Sequence, residues 1–169
     1  NITFENKKFM LVINKSNLNK DIQNYIKIFN KIDKVDNISI YDNEIKNKSC
    51  YNSIELLNIF HQYKFILCFE NSYQDGYITE KIFNCFFAKS LPLYKGDPNI
   101  IKFINKESFI DLNDNYLEII KNCIDNKLFY YKYINSNKIN IDIFNKKYSE
   151  IQKKINNKID NKINDINKI

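Results

Sequence analysis

Residues 63–100 read YKFILCFENSYQDGYITEKIFNCFFAKSLPLYKGDPNI, and this stretch decides the class of fold. Residues 64–69 are apolar after the first and are bounded by polar residues, which predicts a buried strand. Residues 79–89 are predicted to form a helix, and residues 91–94 a second short strand. Buried strands separated by a helix favour parallel pairing through a right-handed crossover.

The same alternation extends in both directions from this stretch. Further strands are predicted at residues 8–13, 35–41 and 108–111, helices at 19–31, 53–60 and 116–124, and a helical turn at 99–104. The length of 169 residues suits one domain of ordinary size. We therefore predict an α/β fold, a Rossmann-like doubly wound parallel sheet, over residues 1–139.

The tail at residues 140–169 is a low-complexity run of Asn, Lys, Ile and Asp. Its apolar residues recur at three- and four-residue steps, which predicts an amphipathic helix. They are Ile141, Phe144, Tyr148, Ile151, Ile155, Ile159 and Ile163. This helix packs back on the domain or frays at its end, or else it forms a coiled-coil contact or a membrane-surface contact.

Composition excludes several classes of protein. Hydrophobic residues make up 44% and aromatic residues 15%, which is typical of a globular chain. The net charge of +6 comes from dispersed lysines, many of them in the tail, so a solvated surface is favoured over a nucleic-acid site. No run approaches the length of a membrane span. The chain begins with Asn1 and not with Met, so we expect a fragment or a trimmed chain.

The four cysteines form no CxxC pair, which argues against a zinc site and a disulfide framework. Cys68 and Cys85 lie in apolar runs and are expected to be buried free thiols. The two glycines and two prolines lie close together, at Gly76, Pro92, Gly96 and Pro98. Their clustering predicts special backbone geometry within residues 70–98.

The polar loop after the strand at 64–69 is the candidate site, because ligands of doubly wound sheets lie beyond the carboxyl ends of strands. The loop reads ENSYQDGYIT from Glu70 to Thr79. Thr79 is a good N-cap, and Glu80 suits the positive end of a helix dipole. Lys81 does not, unless a bound phosphate pairs with it. The residues alone leave open whether Lys81 is functional or simply exposed.

Residues 63–100 resemble the α1,3-fucosyltransferases of glycosyltransferase family ten. The shared pattern is a FEN-S run, then Y-x-TEK, then a Pro-x-x-x-G segment, and the SFI at 108–110 resembles the element that follows in the family. The matching residues are Phe69, Glu70, Asn71, Ser72, Tyr77, Thr79, Glu80, Lys81, Pro92, Tyr94, Gly96 and Pro98. The similarity weakens upstream, where KKFMLVINKSN resembles the family's first strand of this domain, and fades after about residue 126.

The resemblance implies the C-terminal half of a GT-B fold, in which two Rossmann-like domains face each other across a cleft. That half binds GDP-fucose, whereas the other half binds the acceptor and supplies the general base. Tyr77 and Glu80 would contact the donor, Glu80 through the ribose hydroxyls. Lys81 would neutralise the diphosphate. Glu70, Asn71 and Ser72 would line the loop that positions nucleotide and sugar.

The implied reaction is inverting transfer of L-fucose from GDP-fucose to a hydroxyl of a glycan acceptor. A base removes the acceptor proton, and the departing GDP is stabilised electrostatically. The resemblance implies no metal and no cofactor beyond the donor substrate. Family members are often membrane-associated, at the Golgi in eukaryotes and at the cytoplasmic face in bacteria.

This chain departs from the family where a phosphate-binding Arg lies in the helix after the first strand. The best-matching position is Gln23, which has no charge, although Lys20 would reach the phosphate as a point charge. No part of the chain resembles the acceptor domain. A catalytically degenerate GDP-sugar-binding module therefore remains an alternative, as does a basic protein that binds nucleic acid or membrane.

Two further features are given structural interpretations. His61, the only histidine, precedes a predicted buried strand, and we expect it at a surface or a helix end. The aromatic cluster at 129–133 is expected in the core or an interface, with a sugar-stacking platform as the alternative.

Overall fold

A computed structural model describes residues 2–14, 20–39 and 54–166. Within them, five strands form one sheet in the order β2-β1-β3-β4-β5, and all neighbours are parallel. The strands are β1 Lys8–Asn14, β2 Val35–Ser39, β3 Tyr63–Phe69, β4 Leu91–Lys95 and β5 Ile110–Asp111. The helices are α1 Lys20–Phe29, α2 Ile54–His61, α3 Glu80–Phe87, α4 Tyr116–Asp125, α5 Lys127–Asn135 and α6 Ile141–Ile166, with 3₁₀ turns at Ile100–Lys102 and Lys106–Ser108.

The strand order reverses direction between β1 and β3. The chain passes from β1 to β2 on one side, and then enters β3 on the other side of β1. Because all strands are parallel, their carboxyl ends share one edge of the sheet. The crevice at such a reversal is where open α/β sheets bind ligands.

Side chains of each central strand enter two separate apolar layers. In β3, Phe65 and Leu67 pack on the side of α1, α4 and α5, whereas Ile66 and Cys68 pack on the side of α2 and α3. Burial on both faces explains why β3 is a continuous apolar run in the sequence. Helices therefore cover both faces, and the predicted doubly wound fold is confirmed.

Most predicted elements are present. The strands predicted at 8–13, 35–41, 64–69 and 91–94 are β1 to β4, with positions 40 and 41 outside the described residues. The four predicted helices of the domain are α1 to α4, and the first predicted residues of α1 and α2, 19 and 53, also lie outside them. The helical turn predicted at 99–104 is the 3₁₀ turn Ile100–Lys102.

The strand predicted at 108–111 is wrong at its start. Ser108 belongs to a 3₁₀ turn, because the Asn105 side chain accepts the Glu107 N–H at 3.0 Å and the Asn105 carbonyl accepts the Ser108 N–H at 2.9 Å. Only Ile110–Asp111 pair with β4.

The helix α5 was not predicted as a helix. Its signal is Asn126, whose side chain accepts the N–H groups of Leu128 and Phe129 at 2.9 and 3.3 Å. Tyr130 is fully buried and donates its hydroxyl to the Lys64 carbonyl at 3.1 Å. The aromatic cluster at 129–133 therefore contributes to the core, as expected.

The tail forms the predicted helix, α6. An antiparallel bridge between Ile104 and Ile139 attaches its entry to the domain. The described side chains of α6 are exposed, Tyr148 by 56% and Ile155 by 51%. Residues beyond 158 contribute no described side chain. Membrane contact or self-association through α6, and the domain boundary near residue 139, stay predictions.

Cys68, Cys85 and His61 occupy the places expected of them. Cys68, Cys85 and Cys123 are buried and free, while Cys50 lies outside the described residues. A hydrogen bond with Cys85, together with burial, raises the pKa of Cys68 well above its usual range. His61 ends α2, where its Nδ1 lies 2.9 Å from the Ala88 carbonyl oxygen.

In the described parts of the chain, no helix is both long enough and apolar enough to cross a bilayer.

Candidate functional site

The loop between β3 and α3 lies at the carboxyl edge of the sheet, beside the reversal of strand order. It leaves β3 after Phe69 and enters α3 at Glu80. The first turn of α1 belongs to the same edge, because α1 follows the parallel neighbour β1. This turn contains Lys20 and Gln23, both of which are exposed. The topology thus brings together the two predicted groups of site residues.

Glu70 holds this loop from the inside. Its side chain is fully buried, with Oε1 accepting the Thr79 N–H at 2.9 Å and Oε2 accepting the Thr79 hydroxyl at 2.7 Å. Thr79 occupies the N-cap position as predicted, but its side chain makes no capping bond, because its hydroxyl is donated to Glu70. The buried carboxylate therefore fastens the beginning of α3 to the end of β3.

Lys81 lies across the same junction. Its ammonium donates to the Phe69 carbonyl at 2.7 Å and to Asn71 Oδ1 at 2.9 Å, and it lies 3.5 Å from Glu70 Oε2. The side chain retains 22% of its exposure, unlike that of Glu70, which is fully buried. A lysine has three N–H donors, and two of them have these protein acceptors.

A second buried carboxylate supports the middle of the loop. Asp97, which is 2% exposed, follows β4 and accepts the Gly76 N–H at 3.0 Å and the Asn99 N–H at 2.7 Å. Gly76 has a φ of +80°, a left-handed conformation that glycine adopts without strain. The loop is therefore fixed at Gly76 and at Thr79 by acids from two neighbouring strand ends.

Gly96 permits the close approach of these two strand ends. A Cβ at this position would lie 2.4 Å from the Tyr94 hydroxyl oxygen and 2.5 Å from Glu70 Cγ. Only a residue without a side chain fits there. The predicted special geometry within residues 70–98 is thus confirmed at both glycines.

The remaining predicted residues lie on the outer side of the loop. Asn71 is exposed, and Ser72, Tyr77 and Glu80 are half-buried. Exposed polar groups, an ammonium and the amino end of α3 together can bind an anionic, hydroxyl-rich ligand. Across the described residues, no three His, Cys, Asp or Glu side chains gather as metal ligands would.

The family model for the C-terminal domain of glycosyltransferase family 10, the fucosyltransferases, matches residues 4–137. The chain belongs to this family. An α-(1,3)-fucosyltransferase of Helicobacter pylori is 37% identical over 94 residues, which are 56% of this chain and 18% of that protein. A GDP-fucose protein O-fucosyltransferase 3 of Xenopus tropicalis is 36% identical over 69 residues, 40% of this chain and 15% of its own length.

A solved structure of this family confirms the fold. The crystal structure of an α1,3-fucosyltransferase with GDP-fucose superposes with a TM-score of 0.63 and 29% identity, over 78% of this chain and 39% of that one. The fold is therefore that of one half of a GT-B glycosyltransferase, as the sequence predicted. The chain spans about two fifths of the crystallised relative and less than a fifth of the curated ones.

Within this family domain, sequence reasoning missed Asp97 as a support of the loop. The signal was present, because Asp97 is an acidic residue two positions after a buried parallel strand that neighbours β3. Lys95, at the end of the same strand, was also missed. Neither residue belonged to the motif by which the family resemblance was stated.

Proposed function

We propose that this chain is the donor-binding domain of a fucosyltransferase. It would hold GDP-fucose at the loop between β3 and α3, for transfer of L-fucose to a hydroxyl of a glycan with inversion. One observation carries the proposal: the motif residues Asn71, Glu80 and Lys81 gather at the carboxyl edge of the sheet, where nucleotides bind in doubly wound folds. The family membership and the relative crystallised with GDP-fucose give the ligand its identity.

The proposed roles follow the positions of the side chains. Glu80, in the first turn of α3, accepts hydrogen bonds from the ribose hydroxyls, and Tyr77 contacts the donor beside it. Asn71 and Ser72 line the loop that positions nucleotide and sugar. Glu70 has an indirect role, because its buried carboxylate binds Thr79 and faces Lys81, and so positions both residues.

Lys81 supports phosphate binding in two ways. Its third N–H donor is available to a phosphate oxygen, since the Phe69 carbonyl and the Asn71 side chain accept the other two. Its fixed ammonium would also stabilise the charge that develops on GDP as the bond to fucose breaks. The base that removes the acceptor proton would come from an acceptor-binding domain.

Calorimetry on the 169-residue chain tests the donor assignment. GDP and GDP-fucose are titrated into the wild type, into Lys81→Ala and into a control, Lys121→Ala, which changes an exposed lysine of α4. We expect Lys81→Ala to weaken GDP binding by about 1.5–3 kcal/mol, the value of a charge-assisted contact, and the control to leave it unchanged. A folded wild type that binds neither ligand at millimolar concentration would refute the assignment.

Transfer is tested separately from binding. The full-length protein is incubated with GDP-fucose and glycan acceptors, and the release of GDP is compared with and without acceptor. Acceptor-dependent release supports the enzyme. Tight donor binding without any transfer would instead make the chain a GDP-sugar-binding module, an alternative that the uncharged Gln23 keeps open.

A further inference from the structure

The charge of Lys81 is largely balanced within the loop. Its ammonium lies 3.5 Å from the buried carboxylate of Glu70, and each group reduces the potential that the other projects towards the crevice. A diphosphate carries more negative charge than this pair alone can offset. A further positive charge at the same edge would therefore strengthen binding of such a ligand.

Lys95 supplies a second ammonium at this edge. It is the last residue of β4, pairs with Phe69 at the end of β3, and directly precedes Gly96. Its Nζ lies 5.2 Å from the centre of the Tyr25 ring in α1 and 5.9 Å from that of the Tyr73 ring in the β3–α3 loop. The ammonium therefore lies where α1, β4 and the candidate loop meet.

The aromatic neighbours orient this ammonium without neutralising it. Ring faces attract a cation, yet they leave its N–H donors available to an anion. Among the described residues, none of the ion pairs within 4.0 Å involves Lys95. Asp21 of α1 is near enough to affect Tyr73, so the local field is mixed, but no carboxylate in the described part of the chain forms an ion pair with Lys95.

Tyr73 connects this half-buried lysine to the proposed donor site. The tyrosine follows Asn71 and Ser72 in the loop and is 46% exposed. Tyr25 belongs to α1, whose first turn lies at the same edge of the sheet as the candidate loop. Lys95 thus brings a positive charge to that edge from β4, two strands along the sheet from β1.

We propose that Lys95 binds the phosphate groups of the nucleoside diphosphate donor, from its place between α1 and the β3–α3 loop. The inference rests on the proposed function, since it assigns a new residue to the same site. It predicts that affinity depends on the Lys95 charge for phosphorylated ligands only. The guanosine part of the ligand would be held elsewhere in the site.

Calorimetry with guanosine, GMP and GDP tests this role in the wild type, Lys95→Met, Lys95→Arg and the control Lys121→Met. We expect Lys95→Met to weaken GDP binding by about tenfold or more, GMP binding by less, and guanosine binding by less than twofold. Lys95→Arg should stay within about threefold of the wild type for GDP, because it keeps the charge. Circular dichroism confirms that each variant is folded.

Three results would overturn the inference. Unchanged GDP affinity in Lys95→Met would show that the ammonium does not contact phosphate. An equal loss for GDP and guanosine would show that Lys95 only shapes the loop. A folded wild type that binds neither GDP nor guanosine would refute the proposed function, and the role of Lys95 with it.

Discussion

Replacing Glu70 by Gln tests how the candidate loop is held together. Gln keeps one oxygen that can accept the Thr79 N–H, so this bond survives. The charge-assisted bond from the Thr79 hydroxyl at 2.7 Å is lost, and the amide group of Gln faces the Lys81 ammonium. A hydrogen bond to a charged group contributes about 1.5–3 kcal/mol, so we expect Glu70→Gln to lower the free energy of unfolding by about 2–3 kcal/mol.

A double-mutant cycle separates the ion pair from the other contacts of its members. Lys81→Met alone should also destabilise the protein by about 2 kcal/mol, because it leaves the fully buried Glu70 carboxylate without its cation. The double variant removes both charges and leaves neither unpaired. Its loss should therefore be smaller than the sum of the two single losses by about 1 kcal/mol or more.

Urea denaturation followed by circular dichroism measures the change in the free energy of unfolding for the two single variants and the double variant, each relative to the wild type. The comparison requires that the slopes against denaturant concentration agree. The exposed Lys121→Met serves as the control, with an expected change within about 0.5 kcal/mol. Additivity of the two single changes to within about 0.5 kcal/mol would refute the coupling of Glu70 and Lys81. An unchanged free energy of unfolding in Glu70→Gln would refute the idea that the Glu70 carboxylate stabilises the loop.

Three further predictions concern the backbone and the opposite edge of the sheet. Gly96→Ala should cost about 3 kcal/mol in urea denaturation, because its Cβ would lie 2.4 Å from the Tyr94 hydroxyl oxygen, and a loss below that of Gly76→Ala would contradict this packing. Lys89 adopts a φ of +52° in the turn that ends α3. Lys89→Gly should therefore raise the free energy of unfolding by about 0.5–1 kcal/mol, and with it the melting temperature. A lower melting temperature would argue against this conformation. Burial lowers the pKa of Lys7 from 10.5 to about 8, so between these pH values the folded chain binds fewer protons than the unfolded one. Relative to Lys7→Met, the wild type should therefore gain stability as pH rises from 8 to 10, and a flat difference in urea midpoints would contradict the shift.

Local sequence was sufficient to predict the alternating elements. Each prediction used only a few adjacent residues: the apolar runs of β1, β3 and β4, and the polar loop after β3. Strands that are buried on both faces are continuous apolar runs, so they can be identified directly in the sequence. The helix α5 was missed because its aromatic residues have no clear helical period, and its start depends on a single Asn126.

The sequence by itself determined the α/β class, the position of the candidate loop and the motif that identifies the family. Only the tertiary structure decided which way the side chains of that loop turn. Glu70 faces inward because Thr79 offers it two donors and Lys81 a nearby cation, while Asp97 reaches Gly76 across 21 residues of sequence. Lys95 meets Tyr25 from 70 residues away, a contact created only when parallel strands bring their carboxyl ends to one edge.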